Sequence, residues 1–178
     1  MVDDVPAAPN VEFAELIVEL RKLAHAARRR VRSGDTLATT ALVNEAYLKL
    51  ARPSSAKALD RSHFFGLAAK AMREILIDEA RKRAGAGYRA LAREREVPLM
   101  FEANEWIAPQ LDPLELVALD QAMQQLASIQ PRMAEVVTCR FFAGYTEQET
   151  ASILGVDVRT VQRDWQRARA WLTEFRAQ

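Results

Sequence analysis

Between Thr146 and Asp157 the sequence sets helix boundaries so close together that only short helices joined by a sharp turn satisfy them. Thr146 is followed three residues later by Glu149, the capping-box spacing, in which hydroxyl and carboxylate each take up a free amide at a helix start. Gly155 supplies a left-handed stop. Asp157 is placed to accept amide hydrogen bonds at the head of a second helix. In that helix Val161, Trp165, Ala168 and Leu172 recur at helical spacing and form an inward stripe. On the opposite side Arg159, Thr160, Gln162, Arg163, Gln166 and Arg167 project outward. Such donors bond phosphate oxygens and base edges without needing a partner in their own protein. Two capped helices, a glycine turn and a donor-rich second helix make a helix-turn-helix, with Asp157 to Arg169 as its recognition helix. The same pattern also fits an ordinary solvated surface helix, and Asp157 and Asp164 dilute its positive field.

The remaining composition narrows the possibilities. The chain of 178 residues is 49% hydrophobic and 28% charged, which suits a folded, soluble protein of one domain or two small ones. No apolar run approaches the roughly 20 residues needed to span a bilayer. The acidic start, with Asp3 and Asp4, lacks the layout of a secretion signal, so a cytoplasmic location with no membrane insertion is expected. Cys139 is the one cysteine; it reads as a small buried hydrophobe. A net charge of +1 argues against coating nucleic acid through bulk charge. Distribution says more, because Arg21 to Arg32 and Arg81 to Arg95 form basic blocks between acidic stretches.

Helical periodicity runs through most of the chain, and no strand-like alternation interrupts it. Phe13, Leu16, Ile17, Leu20, Leu23, Ala24, Ala27 and Val31 mark a first amphipathic helix, broken at Ser33-Gly34-Asp35. Leu42, Val43, Ala46, Tyr47 and Leu50 mark a second that cannot pass Pro53. After a polar loop from Ser54 to Arg61, Ser62 is expected to cap a third helix from His63 to about Ala84. Its inner side carries Phe65, Ala68, Ala69, Met72, Ile75, Leu76 and Ala80. Gly85-Ala86-Gly87 ends it, and the stretch to Leu111, with Pro98, Trp106 and Pro109, reads as a linker. Asp112-Pro113-Leu114-Glu115 opens a helix to about Ile129, and Pro131 opens another that stops at Gly144. The expected fold is therefore all-α, with two small helical domains, 10–84 and 112–178, joined by a linker, 85–111.

Enzyme chemistry finds little to work with. There is no glycine-rich phosphate loop. His25 and His63 lie apart from each other and from Cys139, without metal-ligand spacing. Asp78 and Glu79 are neighbours in sequence, hence about 100° apart on a helix, and do not converge as a catalytic carboxylate pair would. No catalytic residue, metal site or cofactor is expected. Trp165 and Trp171 read as packing residues.

Two separated motifs resemble one family. Thr36 to Leu50 (TLATTALVNEAYLKL) and His63 to Arg83 (HFFGLAAKAMREILIDEARKR) resemble the promoter-melting domain of extracytoplasmic-function (ECF) sigma factors, of the sigma-70 family. Arg140 to Gly155 (RFFAGYTEQETASILG) and Val161 to Leu172 (VQRDWQRARAWL) resemble the matching C-terminal domain. Both occur in the right order and cover almost everything from the first helix onward. Ala38, Thr39, Thr40 and Ala41 depart from the family, where acidic residues often precede the Leu-Val pair.

The resemblance implies a sigma factor that binds bacterial core RNA polymerase and directs transcription initiation at promoter DNA. It implies that the second helix docks on polymerase through Asn44, Glu45, Leu48 and Lys49. It also implies that Arg61, His63, Lys70 and Arg73 hold the non-template strand of the minus-ten element, while Arg159, Thr160, Gln162, Arg163, Gln166 and Arg167 grip the minus-thirty-five duplex. An anti-sigma factor is a further partner that such a protein can have. The alternative is a stand-alone helix-turn-helix transcriptional regulator, which needs the C-terminal grammar but not the Leu42 to Arg83 segment.

Overall fold

The computed structural model describes residues 13–30, 39–50, 61–85 and 110–175, and among these the fold is all-α. The helices are α1 (Phe13–Arg28), α2 (Thr39–Leu50), α3 (Arg61–Ala84), α4 (Pro113–Ile129), α5 (Pro131–Val137), α6 (Glu147–Leu154) and α7 (Val158–Glu174). A π-helical turn, Thr138–Phe142, continues α5. The breaker at Ser33-Gly34-Asp35, the loop from Ser54 to Asp60 and the linker residues 86–109 lie outside the described residues.

Most boundaries follow the caps. Asp112 accepts from the Glu115 amide at 2.9 Å while the Glu115 carboxylate accepts from the Asp112 amide at 2.7 Å, so the capping box that starts α4 is closed on both sides. Pro113 stands in the first turn, where its missing N–H costs nothing. The start of α3 differs from expectation: the helix already includes Arg61, so Ser62 lies inside its first turn rather than capping it. At the other end α1 stops at Arg28, short of Val31.

α3 is the central element. It packs against α1 and α2 on one side and against α4, the π turn and α6 on the other. This explains why Phe64, Ala71 and Ile77 are buried beside the expected inner residues Ala68, Ala69, Met72, Ile75, Leu76 and Ala80. A one-sided stripe understates a helix covered from two directions. One continuous apolar cluster accordingly runs from Leu20 and Leu23 of α1 through Met72 of α3 to Leu119 and Met123 of α4, Phe142 and Leu172. A smaller cluster, Val136, Ala151 and Val161, seals α5, α6 and α7 together.

Polar groups stitch the same seam. Asp120 of α4, almost fully buried, accepts from Arg73 at 2.6 Å, from Arg81 at 2.9 Å and from Gln124 at 2.7 Å. Arg30 donates through Nε to the Phe141 carbonyl at 2.8 Å, and its guanidinium lies 5.0 Å from the Phe141 ring centroid. Burial, with Arg29 as a lesser contributor, lowers the Arg30 pKa. The Arg30 carbonyl in turn accepts from the Leu111 amide at 2.7 Å. Backbones approach closely here: a Cβ on Gly144 would stand 3.0 Å from Ala26 Cβ, and one on Gly66 3.2 Å from Ile153 Cγ2.

Two glycines therefore have different reasons to be glycine. Gly155 has φ of 64° with open space around it, whereas Gly144 combines φ of +74° with the Ala26 contact. Gly155→Ala is expected to cost about 1 kcal/mol of unfolding free energy, and Gly155→Asn less, from the left-handed strain alone. Gly144→Ala should cost roughly 1–3 kcal/mol more through the added clash. Urea denaturation of the three variants checks the order, and equal losses at both sites would refute the contribution of Ala26.

Candidate nucleic-acid interface

The α6–turn–α7 unit is held by hydrogen bonds that its sequence specifies. The Thr146 hydroxyl accepts from the Glu149 amide at 3.1 Å, and the Glu149 carboxylate accepts from the Thr146 amide at 2.7 Å and the Thr146 hydroxyl at 2.9 Å. Gly155 then turns the chain, its N–H donating to the Ala151 carbonyl. At the head of α7 Asp157 takes the Thr160 amide at 2.8 Å on one oxygen and the Thr160 hydroxyl at 2.9 Å on the other. Those bonds, the backbone one foremost, hold the Asp157 carboxyl below its ordinary pKa. Val161, Ala168 and Leu172 are fully buried beneath α7, with Trp165 half-buried beside them. Trp171 is half-buried and stacks on Phe175 at 4.9 Å between centroids.

The outward face of α7 carries the expected donors in three states. Arg159, Gln166 and Arg167 are exposed and hold no side-chain partner among the described residues. Arg163 is exposed, with its Nε 3.8 Å from Asp164. Gln162 and Thr160 are engaged: Gln162 donates to the Glu147 carboxylate at 2.7 Å, and the half-buried Thr160 spends its hydroxyl on the cap. Asp164 departs from the sequence expectation of a surface charge diluting the field, because its side chain is only 2% exposed. Its position explains this: it lies three residues after Val161 and four before Ala168, within the inward stripe. Arg132, from the first turn of α5, donates to it at 2.6 Å. That hydrogen bond and the carboxylate's charge raise the Arg132 pKa.

Beneath the turn, Arg140 is almost fully buried, donates to the Tyr145 carbonyl at 2.9 Å and lies 5.6 Å from the Trp165 ring centroid. Burial lowers its pKa to about 10, against the opposing pull of Glu147. Cys139 is buried as expected, and the apolar surroundings push its thiol up to about 12, which keeps it protonated and unreactive at neutral pH.

The other candidate residues separate by location. Arg61, His63 and Lys70 are exposed on α3, with the Arg61 guanidinium 5.5 Å from the Phe65 ring centroid. Arg73 is not on an open face. It turns toward Asp120 and lies 5.8 Å from the Phe142 ring centroid. On α2, Asn44, Glu45 and Leu48 are exposed, Leu48 by 65%, while Lys49 reaches α3 through an ion pair with Glu74 at 3.1 Å. Tyr47, expected inside, is exposed as well. Asp120, Arg132 and Asp164 were not singled out as site residues by the sequence. Only Asp164 left a signal there, a carboxylate in the inward register.

The arrangement is a donor-bearing helix presented on a sealed scaffold, preceded by a helix pair of a different kind. The family model for ECF sigma factors matches residues 4–177. The chain belongs to the ECF sigma factor family. Neither a curated protein nor a solved structure matches it. As a member of that family this sigma factor acts in transcription initiation, with core RNA polymerase and promoter DNA as partners, and the family is non-enzymatic. Among the described residues no group of His, Cys, Asp and Glu side chains is arranged to hold a metal, and no helix is long and apolar enough to cross a membrane.

The Asp157 cap has a pH signature in this sigma factor. Its folded pKa is depressed, so the stability it contributes is present above the unfolded value and is lost as pH falls through the folded value. Protection of the Thr160 amide against hydrogen exchange should therefore decline below about pH 4. Asp157→Asn, which still caps, should remove that dependence. An unchanged profile in the Asn variant would separate the cap from the titration.

Proposed function

We propose that this sigma factor divides promoter recognition between its two halves, residues 10–84 and 112–178, through a linker at 85–111. Residues 112–178 bind the minus-thirty-five duplex with α7 in the major groove. The observation that supports this most directly is the sealing of the inner face of α7 by Val161, Ala168 and Leu172 while Arg159, Gln166 and Arg167 stay exposed and unpartnered among the described residues. Arg163 is the strongest candidate for base readout, and a bidentate arginine to guanine discriminates by roughly 1–3 kcal/mol. Gln162 must release Glu147 before it can reach a base.

The N-terminal half engages polymerase through α2 and opens the minus-ten element along α3. An exposed leucine beside Asn44 and Glu45 suits docking on a partner helix, since its burial contributes roughly 1.5–3 kcal/mol. Arg61, His63 and Lys70 face solvent where a strand can lie. Extruded bases and backbone contacts offset the few kcal/mol that unstacking costs, so no hydrolysis by this chain is required. Arg73 enters only after leaving Asp120, so the form described here holds one strand-binding cation in reserve. The family match across both halves favours this reading over a stand-alone regulator. The place of action is then wherever core polymerase works, in the cytoplasm.

Reconstitution with purified core polymerase tests the assignment. Promoter-specific run-off transcripts are expected only when the chain is added, and failure to bind core at low salt would sink it. Leu48→Asp should weaken core binding about tenfold or more without lowering stability. Arg163→Ala should change promoter preference; equal weakening on every promoter would remove it from base readout. Asp120→Ala should increase binding of a single-stranded minus-ten oligonucleotide by the free chain. No increase would mean that Arg73 is not the limiting contact.

A further inference from the structure

Asp164 shares its two carboxylate oxygens between two helices. Oδ2 takes Arg132 Nε at 2.6 Å from the start of α5, and Oδ1 lies 3.8 Å from Arg163 Nε on α7 itself. The carboxylate is 2% exposed, whereas the arginines are 51% and 53% exposed. The negative end is thus sunk in the scaffold, and both guanidiniums lie over it at the surface, each approached through Nε. A guanidinium has five donors in a rigid fork, so one bond at Nε fixes the plane and leaves the outer N–H groups for another acceptor.

On a surface meant for a polyanion, a carboxylate between two arginines subtracts one charge from the field. Attraction alone would favour its absence. What it adds is orientation, because two flexible side chains held over one fixed anion lose less freedom when they bind. Arg132 lies beside α7 rather than on it. A guanidinium on that flank is placed to meet the sugar-phosphate backbone bordering a groove that α7 occupies.

We propose that Arg132 is a duplex-DNA phosphate contact outside the recognition helix, and that Asp164 is a positioning residue aiming both Arg132 and Arg163. The inference rests on the placement of α7 in the minus-thirty-five duplex. The phosphodiester is the ligand class; polymerase protein is the competing partner for Arg132.

The test uses holoenzyme reconstituted from the full chain and core polymerase, bound to promoter duplexes over a range of salt. Arg132→Ala should weaken binding alike on all minus-thirty-five sequences and reduce the slope of log affinity against log salt by about one. Arg132→Lys keeps the charge but not the fork, so it should keep the slope while losing affinity. Asp164→Asn gives the decisive sign. It removes a negative charge, so a purely electrostatic role predicts tighter binding to every duplex, whereas positioning predicts relaxed discrimination at the base read by Arg163 and no gain in affinity. Tighter, equally selective binding by Asp164→Asn would overturn the positioning role. An unchanged salt slope in Arg132→Ala, with folding intact by circular dichroism, would overturn the phosphate contact; weaker core binding in that variant would then assign Arg132 to polymerase. Absence of any minus-thirty-five dependence in the unsubstituted holoenzyme counts against the placement of α7, and is read separately from the slope.

Discussion

A carboxylate removed from water is tolerated only when charged donors surround it, and the seam of this molecule is built on that constraint at Asp120. Its position in α4 would be untenable without Arg73 and Arg81 from α3, and their arrival brings α3 against α4 along its length. The surrounding contacts are apolar and undirected: Met72, Leu119, Met123 and Phe142 share one cluster and tolerate sliding better than a three-donor carboxylate does. Burial supplies most of the attraction between the halves, and Asp120 supplies the register.

Much of the fold was legible because the chain marks its helix ends with local chemistry. Asp112, Thr146, Gly155 and Asp157 act within a few residues of themselves, so their bonds form as the sequence implies. Ser62 failed as a cap because α3 already includes Arg61. The inward stripe of α7 was readable for the same local reason, except at Asp164, where a charged residue type was taken for a surface one despite its inward register. Arg73 and the second buried face of α3 were not readable at all. Both depend on residues about 47 positions away in sequence, and periodicity holds no information about a partner at that distance.

The near-neutral balance of charge also takes on a structural meaning. Several arginines that look available in the sequence are committed inside the molecule: Arg30 on Phe141, Arg140 beneath the turn, Arg73 and Arg81 on Asp120. Those that remain outward are concentrated on α7 and its flank. Net charge of +1 therefore conceals a local field, and a protein that takes part of its affinity from polymerase has no need of a cationic surface elsewhere.

The π turn at Thr138–Phe142 has a consequence for inheritance rather than for mechanics. A π turn accommodates one residue more than the α-helix it interrupts, as an insertion absorbed in place would leave it. Losing one residue there would let α5 continue as an ordinary helix while rotating everything beyond by about 100°. Phe141 and Phe142 would then no longer meet Arg30 and Arg73, and Gly144 would miss Ala26. Length in this short segment is thus more tightly constrained than residue identity, and substitutions are accessible there along paths that deletions are not.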